Sequence, residues 1–133
     1  MDNRIIVIDD EQDFLDSVKR GLIMSDVQME IDPRKAAALF EQGEVFDIAL
    51  IDVTMPSING LGLLELIKKT SPDTECIMVT AINDARVAVQ CMKKGAYDYL
   101  VKPISRDELV LTIKNALENK RHRTREKEKS PKN

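Results

Sequence analysis

Apolar residues in this chain fall in short unbroken runs, and between the runs they recur every three or four positions. Arg4-Ile5-Ile6-Val7-Ile8 is continuous and β-branched, as in a strand covered on both faces. Phe14, Leu15, Val18 and Leu22 then repeat at helical spacing, which predicts a helix from about Glu11 to Ser25. Val27 to Ile31 alternates apolar with polar, the mark of a strand covered on one face near a sheet edge. Asp32-Pro33 supplies an N-cap acceptor and a proline at the first helical position. Ala36, Ala37, Leu39 and Phe40 give that helix its apolar side, and Gly43 can end it. Ile48 to Ile51 is a third, fully apolar strand that ends in Asp52 and then meets Pro56.

The alternation continues. Gly60 and Gly62 are read as loosening the loop after the third strand, and Leu63, Leu64 and Ile67 form a helix stopped by Ser71-Pro72. Cys76 to Val79 is a fourth strand ending at Thr80. Asp84 caps a helix carrying Val87, Ala88, Cys91 and Met92, which Gly95 ends. Tyr97 to Val101 is a fifth strand ending at Lys102-Pro103. Ser105 and Glu108 form a capping box for a last helix with Leu109, Val110, Ile113, Ala116 and Leu117 inward. Five strands alternating with five helices predict an α/β fold: a doubly wound, five-stranded parallel sheet with helices on both faces. The strand order expected is the flavodoxin-like 2-1-3-4-5.

The chain has 133 residues, enough for one domain with one core. Neither a signal peptide nor a membrane-length apolar stretch stands out, so a cytoplasmic protein is expected. Cys76 and Cys91 lie in buried elements and are read as reduced core thiols. The net charge of −3 divides unevenly: residues 121–133 carry +4 and residues 1–120 carry −7. An acidic body argues against nucleic-acid binding by the body itself. The organisation expected is a domain over 1–120 and a charged helix extension or linker over 121–133. His122 within it is read as a solvated histidine.

The strand ends carry the chemistry. Asp9 and Asp10 follow the first strand, Asp52 the third, Thr80 the fourth and Lys102 the fifth. In the expected order the first and third strands are neighbours at the switch point, where ligands of open α/β sheets bind. Asp9-Asp10 alone would cap a helix and Asp52 alone would be a turn aspartate. In register they crowd one crevice, and crowded carboxylates repel. A divalent cation relieves this, and oxygen ligands with room for water suit Mg²⁺. Asp52 can then attack a phosphoryl group, while Lys102 and the Thr80 hydroxyl hold its oxygens.

Asp9-Asp10-Glu11, Ile51-Asp52-Val53-Thr54-Met55-Pro56, Asn59-Gly60, Val79-Thr80-Ala81 and Gly95-Ala96-Tyr97-Asp98-Tyr99-Leu100-Val101-Lys102-Pro103 resemble the receiver domain of two-component response regulators. The resemblance covers residues 4 to about 120. It implies a signalling switch rather than an enzyme in its own right. Asp52 would take a phosphoryl group from a sensor histidine kinase, with Asp9, Asp10, Asp52 and the Thr54 backbone carbonyl serving Mg²⁺. Thr80 and Tyr99 would switch, changing the face of the fourth helix, fifth strand and fifth helix, where a homodimer or an effector can form. Lys102-Pro103 would be cis. Thr54 and Ile82 occupy the positions that tune dephosphorylation, and neither offers a carboxylate or amide to position water, so a long-lived phosphoryl state is expected. The Tyr97-to-Pro103 segment and charged extension are similar to receivers of sigma-54-dependent transcriptional activators, which implies an output domain controlling transcription. A stand-alone chemotaxis-type receiver is the alternative. A phosphohydrolase with an aspartate nucleophile wants a second acid two residues on, where Thr54 stands. A flavodoxin-like electron carrier fails because Asp9-Asp10-Glu11 would repel a phosphate.

Overall fold

The computed structural model describes residues 3–22, 26–55 and 59–129, with side chains through 123. Its elements are β1 (Arg4–Ile8), α1 (Gln12–Gly21), β2 (Asp26–Glu30), α2 (Pro33–Glu41), β3 (Ile48–Ile51), α3 (Gly60–Thr70), β4 (Glu75–Thr80), α4 (Ala85–Lys93), β5 (Asp98–Val101) and α5 (Arg106–Lys129). All strands are parallel, in the order β2-β1-β3-β4-β5. This is the predicted fold.

The strands read as continuous apolar runs because both faces are covered. Alternate residues divide between two cores. Ile6, Ile8, Ala49, Ile51, Cys76 and Met78 pack with Phe40 of α2, Leu63, Leu64 and Ile67 of α3, and Cys91 of α4. Ile5, Val7, Ile48, Leu50, Ile77 and Val79 pack with Leu15 and Val18 of α1 and Leu109, Ile113 and Ala116 of α5. Burying each such Ile or Leu contributes about 1.5–3 kcal/mol, which makes the sheet a rigid platform for its edges. Both cysteines are free and buried. No helix of the described residues is long and apolar enough to cross a membrane.

Four readings from the sequence need correction. Helix α1 ends at Gly21 rather than Ser25; residues 23–25 lie outside the described part. Ile31 is past the end of β2 and 51% exposed. Met92 is exposed as well, and of the α4 residues only Cys91 is fully buried. Gly60 and Gly62 are not in a loop: α3 begins at Gly60, capped by the Asn59 side chain accepting from Gly62 N–H at 2.9 Å. The close approach explains Gly60. A Cβ there would lie 2.3 Å from the Asp52 carbonyl oxygen and 2.7 Å from Val53 Cα. Pro56 lies outside the described residues.

At the N-terminal edge of the sheet the charged helix extension has partners. Helix α5 continues to Lys129. Glu75, 3% exposed, accepts from Asn119 Nδ2 (2.6 Å) and Arg123 Nη1 (2.9 Å), with Lys68 Nζ at 3.9 Å. Asp47 accepts from Lys120 Nζ at 2.9 Å and from the Arg4 N–H at 2.8 Å. His122 is an exposed neighbour of Glu118.

Candidate functional site

Register decides which strand ends meet. Ile8 pairs with Ile51, so the residues that follow, Asp9 and Asp52, emerge side by side. Thr80 pairs with Val101, so Lys102 emerges beside the end of β4, its N–H donating to the Thr80 carbonyl at 2.8 Å.

Asp9 is 1% exposed and Asp52 is 7% exposed. Asp52 N–H donates to the Ile8 carbonyl at 3.1 Å, which pins the chain end. Its Oδ1 accepts from Thr54 N–H at 3.1 Å, a tight turn leaving Oδ2 towards the crevice. Asp9 Oδ1 similarly accepts from Glu11 N–H at 2.9 Å. Asp10 is exposed beside them, and one carboxylate oxygen from each of Asp9, Asp10 and Asp52 lies within 4.8 Å of the others. This donor set is all oxygen, one of its members faces solvent, and it concentrates three acids. It fits a hard divalent cation that keeps some of its water, such as Mg²⁺.

Lys102 reaches the same crevice from β5, its side chain only 11% exposed, and the Lys102-Pro103 bond is cis. Its Nζ donates to Asp9 Oδ2 at 2.8 Å and to Glu11 Oε1 at 2.5 Å, and lies 3.6 Å from Asp52 Oδ2. The ammonium also stands 4.5 Å from the centre of the Phe14 ring, within cation–π range. Burial pulls the Lys102 pKa down, but the hydrogen bonds it donates to Asp9 and Glu11 outweigh this and raise it above its ordinary value. Burial pushes the Asp9 pKa up, and Lys102 offsets this only in part. The Lys102 ammonium therefore faces three acids, Asp9, Glu11 and Asp52.

The two hydroxyls meet at one residue, Ile82. Thr80 Oγ1, buried at the end of β4, accepts from Ile82 N–H at 3.3 Å. Tyr99 donates its hydroxyl to the Ile82 carbonyl at 2.7 Å. Thr80 and Tyr99 are thus both tied to the same short loop through Ile82. Burial raises the Tyr99 pKa, so the phenol keeps its proton. Asp98 makes a local hydrogen bond to Tyr99 N–H at 2.7 Å.

The structure brings Asp9, Asp10, Asp52 and Lys102 together, and links Thr80 with Tyr99 through Ile82. Thr54 contributes its N–H to Asp52. Three contributors were not read from the sequence: Glu11 and Phe14, which seat Lys102, and Gly60, which lets α3 abut Asp52. Phe14 follows the helical apolar spacing and looks like core. Glu11 carried a signal in being the third acid of Asp9-Asp10-Glu11.

Comparison with known proteins agrees with this geometry. Residues 5–114 match the family model described as response regulator receiver domain. The chain is 32% identical to the response regulator protein PilR of Pseudomonas aeruginosa, covering 96% of this chain and 28% of that protein. It is 28% identical to the regulatory protein AtoC of Escherichia coli, over 87% of this chain and 25% of that protein. It thus spans under a third of the length of these curated relatives. Among solved structures, a CheY-like receiver domain protein from Methanospirillum hungatei superposes with a TM-score of 0.87 at 30% identity, covering 92% of this chain and 99% of that one. NtrX from Brucella abortus in complex with ADP gives 0.89 at 27% identity, over 100% of this chain and 31% of that one. With the acidic crevice and its lysine at the carboxyl edge of a 2-1-3-4-5 sheet, the chain belongs to the receiver domain family of two-component response regulators.

Proposed function

We propose that Asp52 is a phosphoacceptor, charged by the phosphohistidine of a sensor histidine kinase. The observation that carries this reading is the placement of Asp52 Oδ2 3.6 Å from Lys102 Nζ and within the three-carboxylate cluster. An Asp52 carboxylate oxygen attacks phosphorus, the oxygen–phosphorus bond forms as the phosphorus–nitrogen bond breaks, and the nitrogen's electron pair stays with the donor imidazole. Asp9, Asp10, Asp52 and the Thr54 carbonyl would hold Mg²⁺, which when bound would neutralise phosphoryl charge. Lys102 places its ammonium on a phosphoryl oxygen, and the Thr80 hydroxyl donates to another after leaving Ile82 N–H. The Ile82 loop and Tyr99 then shift, and the population moves to a conformer with a different outer face. Thr54 and Ile82 offer no carboxylate or amide to orient water, so the phosphoryl group persists.

The domain proper occupies 1–120, and 121–133 serve as a charged helix extension or linker towards an output domain, in keeping with α5 running on to Lys129. That output is transcription control of the sigma-54-dependent type; four relatives are named transcriptional regulatory protein ZraR. The protein would act in the cytoplasm, and this domain itself would bind neither membrane nor nucleic acid. The α4–β5–α5 face is the proposed surface for an effector or a homodimer, supported by exposed Val89 and Met92.

Intact mass after incubation with Mg²⁺ and acetyl phosphate tests the chemistry. One phosphoryl adduct is expected in the wild type, none with EDTA and none in Asp52→Asn. An adduct of equal yield in Asp52→Asn would refute the assignment.

A further inference from the structure

The five helix starts differ in one respect. Asp32, Asn59 and Asp84 each cap their helix with a side-chain acceptor, and Ser105 Oγ accepts from Glu108 N–H near the start of α5. At α1 the N-cap residue is Glu11, and its side chain caps nothing. Glutamate is a poor choice there, where Ser, Thr, Asp or Asn lead. The Glu11 carboxylate instead reaches across the fold to Lys102 Nζ. Phe14, one turn into the same helix, lies beside the same ammonium. The start of α1 thus forgoes a cap and builds a seat for the lysine.

The seat matters because Lys102 and the candidate cation site share ligands. Nζ holds Asp9 Oδ2 at 2.8 Å and lies 3.6 Å from Asp52, and both acids belong to the three-carboxylate cluster. A cation on that cluster draws on the same charge and repels the ammonium. Glu11 is outside the cluster, and its carboxylate is largely exposed. It is the partner of Lys102 that a bound cation does not take.

Resting on the phosphoacceptor reading above, we propose that Glu11 is a positioning residue: it retains the Lys102 ammonium when a divalent cation occupies Asp9, Asp10 and Asp52. With Glu11 in place, cation and ammonium stand side by side at the Asp52 carboxylate. Without it, Lys102 falls back on Asp9 and Asp52 and competes with the metal.

Calorimetric titration with MgCl₂ tests this in the wild type, Glu11→Gln, Glu11→Asp, Lys102→Met and the Glu11→Gln/Lys102→Met double variant. Circular dichroism and the thermal midpoint confirm that each is folded. Glu11→Gln is expected to weaken Mg²⁺ binding about fivefold to tenfold with Lys102 present and about twofold or less with it replaced. Glu11→Asp keeps the charge but not the reach, and is expected to resemble Glu11→Gln. An equal fold-change in both backgrounds, with Glu11→Asp like wild type, would reduce Glu11 to a surface charge and overturn the inference. Mg²⁺ binding that weakens as expected, while Asp52 takes no phosphoryl group, would leave the lysine seat standing and sink the phosphoacceptor reading. No Mg²⁺ binding by the wild type would overturn both.

Discussion

The two edges of the sheet hold similar side chains arranged to opposite ends. At the N-terminal edge, Glu75 and Asp47 are met by Lys68, Asn119, Lys120 and Arg123. At the C-terminal edge, Asp9, Glu11 and Asp52 meet the Lys102 ammonium, and Asp10 lies beside Asp9 and Asp52. A buried carboxylate costs free energy unless charge and hydrogen bonds compensate it. The base is compensated by the chain's own cations and needs nothing more. The top is left with surplus negative charge, and Asp9, its most buried acid, has a raised pKa because burial outweighs its lysine. A charge cluster that stays unbalanced on a rigid platform is a place for a ligand; one that balances itself is a clasp. β4 spans the two edges, from Glu75 in the clasp to Thr80 beside the crevice.

This contrast makes three predictions in stability, which thermal or urea unfolding would measure. The largest is a ligand effect. Mg²⁺ at a hundred times its dissociation constant should stabilise the wild type by about 2.7 kcal/mol, an effect expected to be largely lost in Asp52→Asn. The same stabilisation in both proteins would mean that Asp52 is not a ligand. Next is Glu75→Gln, which strips the charge from the base while keeping its shape. It should destabilise by about 2 kcal/mol, reduced from a fully buried pair because Arg123 and Lys68 are partly exposed. Smallest is Asp52→Asn in metal-free buffer, which should stabilise by about 1 kcal/mol through relief of repulsion. Loss of charge thus has opposite signs at the two edges. A destabilised Asp52→Asn would show that Lys102 already balances the crevice.

Elements were legible wherever one period dominated. The runs at Ile5–Ile8, Ile48–Ile51 and Cys76–Val79 are apolar on both faces and read as buried strands. The caps at Asp32 and Asp84 needed only a side-chain oxygen at the right place, and both accept the expected N–H groups. Misreadings came where a local signal competed with a distant contact. Gly60 looked like loop flexibility because its reason, the Asp52 carbonyl 2.3 Å from a virtual Cβ, is in another element. Met92 shared the helical spacing of Cys91, yet α4 buries little beyond that cysteine.

Periodicity and turn chemistry are local, and so the succession of strands and helices was written in the order of residues. The sheet order followed from that succession, because short right-handed crossovers leave few topologies. Even the convergence of Asp9, Asp52 and Lys102 was implicit, since each stands just past a strand whose neighbours the topology fixes. Partners at long separation were not implicit. Glu11 meets Lys102 across 91 positions, and Arg123 meets Glu75 across 48. Such pairs depend on side-chain length, helix rotation and the exclusion of water, none of which has a period along the chain. Which acids are compensated and which remain in surplus was therefore settled only when the chain closed on itself.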